Sequence, residues 1–260
     1  MPEPNDYDRF VDWGKRIARE SPFYRREFGA HGVDRVLDVG CGTGMLPLEW
    51  ARWGLRVVGV DPDAGMLAKA RRNADESRAA TEEAGGSVDF VASGFGQLAD
   101  LALGPFDALT CTGNALPHIA GVSALPGVLA DFAAVLRPGA LLVLHLLNHD
   151  RLIAGGIRAI PPVVREVPEG TRVYLRLMDY EPGVILFDFL TLTRPPGATV
   201  SGAPWEVDSR RSPHTALPSD VLLPALAEAG FYDAETFGGH DGSPFDADRD
   251  ESVIVVAVRR

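Results

Sequence analysis

A short apolar run that ends in closely spaced glycines constrains the fold of this chain more than any other feature. Residues 35–39 (RVLDV) are predicted to form a buried strand, and Gly40, Gly42 and Gly44 follow within five positions. Glycine adopts positive φ at little cost and lets another molecule approach the backbone closely. A helix predicted from Met45 would then present its unpaired N–H groups to a polar ligand. The pattern therefore predicts a ligand site at the carboxyl end of a first parallel strand.

Strands and helices alternate over the first 150 residues. Residues 141–148 (LLVLHLLN) are apolar almost throughout, as expected for a strand that is buried on both faces. This alternation predicts an α/β fold with a doubly wound parallel sheet. The predicted strands are 35–39, 56–61, 88–93, 106–113 and 141–148, with two more near 233–237 and at 252–259.

The alternation stops after residue 150. Two runs with strand character, 172–178 and 184–193, flank an EPG turn at 181–183 and predict a β-hairpin. We expect this hairpin to be an insertion that lies over the sheet.

Composition and charge exclude several classes of protein. The chain has 25 basic and 36 acidic residues and a net charge of -11, which argues against nucleic acid as a partner. No stretch reaches the roughly 18 apolar residues of a membrane span, and the polar N-terminus does not resemble a secretory signal. We therefore expect no membrane partner and a cytoplasmic protein. No metal site is predicted, because no His or Cys residues stand at a zinc-binding spacing. Cys41 and Cys111 are predicted to be structural thiols, with a redox switch as the alternative.

The glycine turn is followed by an acidic residue suited to a ribose. Asp61 ends the second predicted strand, 21 residues after Gly40, where a carboxylate can accept both ribose hydroxyls. A dinucleotide fingerprint would place its third glycine at Met45, a bulky residue, which disfavours a nicotinamide oxidoreductase. The chain also lacks the glycine-lysine motif of a phosphate-binding loop.

The motif VLDVGCGTG at 36–44 resembles the first motif of class I S-adenosylmethionine (SAM) methyltransferases. VVGVDPDAGML at 57–67 is similar to the second motif, FDALTCTGNALPHI at 106–119 to the fourth, and VLRPGALLVL at 135–144 to the turn into strand 5. The resemblance implies a Rossmann-like seven-stranded sheet whose last strand is antiparallel, an antiparallel β insertion after strand 5, and SAM as cofactor. Ser93 stands where the third motif usually has an acidic residue for the adenine. The cofactor-binding residues implied are Arg16, Asp38, Gly40, Gly42, Gly44, Asp61, Pro62, Met66, Ser93, Gly94, Phe95 and Thr112.

A finer resemblance concerns the acceptor. GNALPHI at 113–119 and LLNHDRL at 146–152 are similar to the glycine N-methyltransferase branch, whose members methylate small amines. The resemblance places Asn114 beside the methyl donor and pairs Arg16 with the donor's carboxylate. With Asn114, two histidines are candidate catalytic residues: His118, after strand 4, as a base or a ligand of the acceptor, and His149, at the end of strand 5, as a contact of the acceptor. The same branch leaves a homodimer as an open alternative.

The sequence therefore predicts a SAM-dependent methyltransferase that acts on a small molecule, with an amine as the leading acceptor. The alternatives are O-methylation of a secondary metabolite and a non-catalytic SAM-binding regulator or partner subunit. The predicted organisation is an N-terminal helical lid at 1–30, a SAM-binding core at 31–150 and 214–260, and the insertion at 151–213 covering the substrate site.

Overall fold

A computed structural model describes residues 4–197 and 205–260 of the chain. Seven helices and eleven strands are found in this part. The helices are α1 (Pro4–Phe10), α2 (Trp13–Ala30), α3 (Met45–Ala51), α4 (Ala64–Glu83), α5 (Leu125–Ala134), α6 (His149–Ala154) and α7 (Ser219–Glu228). The strands are β1 (Arg35–Val39), β2 (Arg56–Asp61), β3 (Ser87–Ala92), β4 (Phe106–Cys111), β5 (Leu136–Leu147), β6 (Ala159–Val167), β7 (Gly170–Glu181), β8 (Val184–Arg194), β9 (Glu206–Thr215), β10 (Phe231–Phe237) and β11 (Ser252–Arg259).

The main sheet has seven strands in the order β10-β11-β5-β4-β1-β2-β3. Strands β1 to β5 run parallel to one another, whereas β11 is antiparallel to both β5 and β10. This arrangement confirms the predicted α/β fold and its antiparallel last strand. The strand order reverses between β1 and β4, and the crevice at such a switch point is where open α/β sheets bind ligands.

Helices cover both faces of this sheet. On one face, α2 and α3 pack Phe23, Tyr24 and Trp50 against apolar side chains of the central strands. On the other face, α5 and α7 contribute Phe132 and Leu226 to a second buried cluster. Within the described part of the chain, no helix is both long and apolar enough to cross a membrane.

The insertion is a four-stranded antiparallel sheet in the order β6-β7-β8-β9. The predicted hairpin corresponds to its two central strands, and the sheet continues to Thr215, past the predicted boundary. The outer strands β6 and β9 were not predicted, because β6 contains Pro161 and Pro162 and β9 is rich in charge. Edge strands tolerate both features, since one side of each makes no ladder hydrogen bonds.

The N-terminal helices contact the insertion sheet. The ring of Phe10, at the end of α1, lies 5.5 Å from that of Tyr174 and 5.3 Å from that of Phe189. Arg165 on β6 donates from Nη2 to the Phe10 carbonyl oxygen at 3.2 Å. These contacts place α1 and the insertion sheet together above the carboxyl ends of the main-sheet strands.

Candidate active site at the switch point of the sheet

The turn after β1 has the backbone that its glycines predict. Gly40 and Gly44 adopt φ of +76° and +77°. A Cβ on Gly40 would lie 2.7 Å from the Ala115 Cβ, and one on Gly44 would lie 2.5 Å from the Phe90 ring. Because both the conformation and the space exclude a side chain, the turn exposes bare backbone at the start of α3.

Asp61 and the turn are joined by hydrogen bonds. The Asp61 Oδ2 accepts from the Gly42 N–H at 2.9 Å, and its Oδ1 accepts from the Asp63 N–H at 2.9 Å. A carboxylate has about four lone-pair sites, so two remain for a ligand. Burial raises the pKa of Asp61 above its ordinary value. Two residues near Asp61 in the sequence, Pro62 and Met66, were also predicted to contact the cofactor. Pro62 is exposed, and Met66 is buried in the first turn of α4.

Asp38 lies near the end of β1 and is buried. Its Oδ1 accepts a hydrogen bond from the Thr110 hydroxyl at 2.7 Å. Burial raises the pKa of the Asp38 carboxyl to about 7, although the Thr110 hydrogen bond and the charge of Arg16 act in the opposite direction. The carboxylate at the base of the glycine turn is thus held in an unfavourable environment for its charge.

Ionisation of Asp38 in this environment should lower the free energy of unfolding, and an uncharged amide at the same position should not. The folded pKa of about 7 lies above the unfolded value of about 3.9, so the free energy of unfolding falls as pH rises between these values. We expect the stability of the wild type relative to Asp38→Asn to decrease from pH 5 to pH 8, by at most roughly 1.4 kcal/mol per pH unit. Urea unfolding of both ligand-free proteins at the two pH values measures this difference. A difference that stays constant would contradict the assignment.

The carboxyl ends of β3 and β4 flank the glycine turn after β1 and Asp61 at the end of β2. The Ser93 N–H donates to the Asp61 carbonyl oxygen at 3.3 Å, so Ser93 is adjacent to the expected ribose site. The Gly94 N–H is taken by the Gln97 side chain at 3.2 Å, and the Phe95 ring lies 6.2 Å from that of Phe132. Thr112 is buried after β4, and its carbonyl oxygen accepts from the Ala115 N–H.

Arg16 reaches the switch point from α2. Its Nε donates to the Glu20 Oε1 at 2.9 Å, and its guanidinium lies 5.0 Å from the Trp13 ring centroid. A methyl group on Gly113 would lie 3.7 Å from its Nη1 and Nη2. Burial lowers the pKa of Arg16, but the Glu20 carboxylate together with Tyr7 and Tyr24 raises the pKa above its ordinary value. The guanidinium is therefore a fixed cation beside the turn after β4.

Tyr7 was not among the predicted site residues. A methyl group on Gly42 would lie 3.8 Å from its Cε1, and one on Gly113 would lie 3.7 Å from its hydroxyl. Helix α1 is held there because the Asp8 Oδ1 accepts from the Thr43 hydroxyl at 2.6 Å and from the Trp13 Nε1 at 2.9 Å. Tyr7 thus lies across the glycine turn. Its only sequence signal was an aromatic residue near a helical pattern.

A cavity of about 560 Å³ adjoins the switch point. Gly113, Asn114, His118 and His145 line it from the main sheet, and Phe187, Phe189 and His214 line it from the insertion. Helix α2 contributes Arg16, Arg19 and Glu20. Residues of the N-terminal helices, the main sheet and the insertion therefore all line the cavity.

Asn114 is fixed at the cavity wall in a left-handed conformation, with φ of +67°. Its Oδ1 accepts from the Leu147 N–H at 3.0 Å, and its Nδ2 donates to the His214 Nδ1 at 3.2 Å. The His214 ring in turn stacks on Phe187, with centroids 4.3 Å apart. His118 lies against His214, also at 4.3 Å between centroids.

These two histidines are uncharged near neutral pH. Burial, followed by the charges of His118 and His149, lowers the pKa of His214 to about 3. Burial also lowers the pKa of His118 below its ordinary value. Such imidazoles can accept hydrogen bonds from a bound methyl-acceptor molecule, but they are weak bases. Their arrangement therefore suits positioning of that molecule more than proton transfer.

The structure does not bring His149 to the cavity, contrary to its predicted contact with the acceptor. His149 is buried at the start of α6, and its Nδ1 accepts from the Leu217 N–H at 2.9 Å. Burial lowers its pKa to about 4. The side chain anchors the segment before α7. His145, on β5, lines the cavity instead.

Cys41 and Cys111 are both free and buried. Burial raises the pKa of each thiol above its ordinary value. Because the thiolate is the reactive form, burial and the raised pKa both lower the reactivity of these thiols.

Comparison with known proteins agrees with this geometry. A methyltransferase domain family matches residues 36–139. A glycine/sarcosine N-methyltransferase of Parasynechococcus marenigrum is 34% identical over 150 residues, which is 58% of this chain and 51% of that protein. A ubiquinone biosynthesis O-methyltransferase of Hahella chejuensis is 33% identical over 145 residues, covering 55% of this chain and 56% of that protein. The chain spans about half the length of the curated relatives it matches.

Structural comparison also finds similarity to a methyltransferase, over nearly the whole chain. The SAM-bound structure of an amino pentose methyltransferase from Micromonospora echinaspora superposes with a TM-score of 0.72 at 22% identity, covering 96% of this chain and 92% of that one. Residues 36–139 thus match a methyltransferase domain family, and nearly the whole chain shares the fold of a SAM-bound methyltransferase. These similarities support SAM as the cofactor, as the resemblance implied.

Proposed function

We propose that this chain transfers the methyl group of SAM to the nitrogen of a small-molecule amine. The observation that carries the proposal is the cavity of about 560 Å³, which adjoins the turn after β4 at Gly113 and Arg16 and reaches Tyr7 beside the glycine turn. A cavity of this size fits a small ligand. The glycine/sarcosine relative and the amino pentose methyltransferase are both named for amine-bearing substrates.

The proposed roles follow from the positions of the side chains. Asp61 holds the ribose of SAM, and the bare backbone of the turn contacts its methionine part. Arg16 pairs with the donor's carboxylate. Asn114 lies where β4 ends, beside the transferred methyl, and His118 and His214 contact the acceptor. The N-terminal helices and the insertion exclude water, which favours the displacement because the nucleophile loses its hydration shell.

The sulfonium already activates the leaving group, so the chain has to supply position and a deprotonated nucleophile. An ammonium cannot attack, and its proton passes to water before transfer, because the buried imidazoles beside the acceptor are weak bases. The nitrogen then attacks the methyl carbon in line as the carbon–sulfur bond breaks. The products are the methylated amine and S-adenosylhomocysteine.

The charge of the cavity narrows the acceptor class. Among the described residues, the lining includes six Lys or Arg side chains and two carboxylates, although the whole chain has a net charge of -11. Arg176 on β7 stacks 5.3 Å from the Phe10 ring, and none of the described residues forms an ion pair with it. We therefore propose an acceptor that carries a carboxylate or a phosphate, with Arg176 as its anchor.

Formation of S-adenosylhomocysteine with matched acceptors tests the proposal. The panel pairs amines with and without a carboxylate or phosphate, and includes phenols of both kinds. We expect turnover with anionic amines. Arg176→Gln should raise KM for them by roughly 10- to 100-fold, the value of a charge-assisted hydrogen bond, while SAM affinity stays unchanged. Arg176→Lys is the matched control. It keeps the positive charge, so its KM for anionic amines should rise less than that of Arg176→Gln.

Other outcomes would replace the proposal. Turnover of phenols alone would favour O-methylation, which the Hahella chejuensis relative also supports. SAM binding without turnover of any acceptor would favour a non-catalytic binding subunit.

A further inference from the structure

Three buried polar atoms from distant parts of the chain converge at the wall of the cavity. Glu20 lies on α2, His145 on β5, and His240 in the segment between β10 and β11. One carboxylate oxygen of Glu20 and one ring nitrogen of each histidine lie within 4.8 Å of one another. The Glu20 Oε2 is 3.7 Å from the His240 Nε2, and the two imidazole rings are perpendicular with centroids 4.9 Å apart.

None of these atoms has a hydrogen-bond partner in the described structure. The Glu20 Oε2, His145 Nδ1 and His240 Nε2 are all buried and unsatisfied. An unsatisfied buried polar group costs about 1–3 kcal/mol. A hydrogen bond between Glu20 and His240 would satisfy two of the atoms and leave His145 Nδ1 unpaired. A single ion between them satisfies all three.

We infer that Glu20, His145 and His240 form a binding site for one divalent transition-metal ion. Two imidazole nitrogens and one carboxylate oxygen suit zinc, iron(II) or cobalt, whereas magnesium and calcium prefer oxygen ligands throughout. Bonds of about 2.0–2.2 Å require only that the three side chains move closer together. Glu20 and His145 also line the cavity, so an ion held by these residues would adjoin it.

Two neighbouring arginines lower the affinity of this site for a metal ion. The Glu20 Oε1 accepts from the Arg16 Nε at 2.9 Å and from the Arg19 Nη2 at 3.2 Å. Both cations oppose a metal ion, because like charges at such distances repel. Arg19 is more exposed than Arg16, with 68% of its side chain accessible against 12%, and can be changed with less disturbance.

Titration of the chelator-treated chain with Zn²⁺, and with Co²⁺ followed by visible absorbance, tests the site. We expect one ion per chain. His145→Phe and His240→Phe keep an aromatic ring in the packing and should each weaken binding by more than the roughly 10- to 100-fold that loss of an outer partner costs. His118→Phe is the matched control, because His118 and His214 form the other close imidazole pair. It should leave the affinity unchanged.

A second variant keeps the test decisive if the histidine variants do not fold. Arg19→Gln removes one opposing charge and should tighten Zn²⁺ binding by about tenfold, given the Coulomb energy of two charges several ångströms apart near a protein surface. The inference is overturned if the wild type binds no ion saturably. It is also overturned if binding survives His240→Phe, is lost in His118→Phe, or weakens in Arg19→Gln.

Discussion

Replacing Asp61 with Ala is expected to weaken SAM binding by about 100-fold, the value of two charge-assisted hydrogen bonds of about 1.5 kcal/mol each. The physical reason is the position of the carboxylate. It is 5% exposed, and its two oxygens already accept the N–H groups of Gly42 and Asp63. Its remaining lone pairs point to the site where the ribose hydroxyls of SAM are proposed to lie. Calorimetric titration of SAM into the wild type and the variant measures the loss.

The control for this prediction is Asp89→Ala. Asp89 lies on β3 and is exposed. The variant changes the net charge by the same amount and should bind SAM like the wild type. Equal affinity of Asp61→Ala and the wild type, with both folded by circular dichroism, would show that this carboxylate does not hold the cofactor.

The second large effect is expected for Arg16→Met. This substitution leaves the Glu20 carboxylate, whose side chain is 1% exposed, with Arg19 as its remaining strong donor at 3.2 Å. Breaking one partner of a buried ion pair costs about 3–5 kcal/mol, and we expect a loss of unfolding free energy near the lower end of this range. SAM affinity should fall as well, since the proposed partner of the donor's carboxylate is gone.

A double variant separates the two effects of Arg16. Adding Glu20→Gln removes the uncompensated charge and should recover at least about 1 kcal/mol of stability, but it should not restore SAM affinity. Arg25→Met is the matched control on the same helix, because Arg25 stacks 4.1 Å from the Trp53 ring centroid. The Arg25→Met variant should lose less than about 1 kcal/mol of unfolding free energy. A loss in Arg25→Met as large as that in Arg16→Met would contradict a specific role for the buried pair.

Local chemistry explains which parts of the fold could be predicted. The glycine turn, Asp61 and the parallel strands are encoded within short segments, where apolar runs end in residues of special conformation or charge. The edge strands β6 and β9 could not be recognised, because neither alternates apolar and polar residues. Their pairing depends on the two central strands, which carry the strand signal.

The site shows the same division. Arg16, Asn114 and Gly113 were found through a family resemblance, and the structure brings them together at one end of the cavity. His149 stands near the end of β5, but α6 directs it toward Leu217 instead of the cavity. The cluster of Glu20, His145 and His240 spans 220 positions of the chain and exists only after the sheet and α2 have packed. No spacing rule could have found it.

The most direct test of the account is calorimetric titration of the wild type with SAM and with S-adenosylhomocysteine. We expect saturable binding of both at one site per chain, with neither displaced by a nicotinamide dinucleotide. The absence of binding by well-folded protein would contradict it. The glycine turn and Asp61 would then serve another ligand, and the proposed methyl transfer would fall with them.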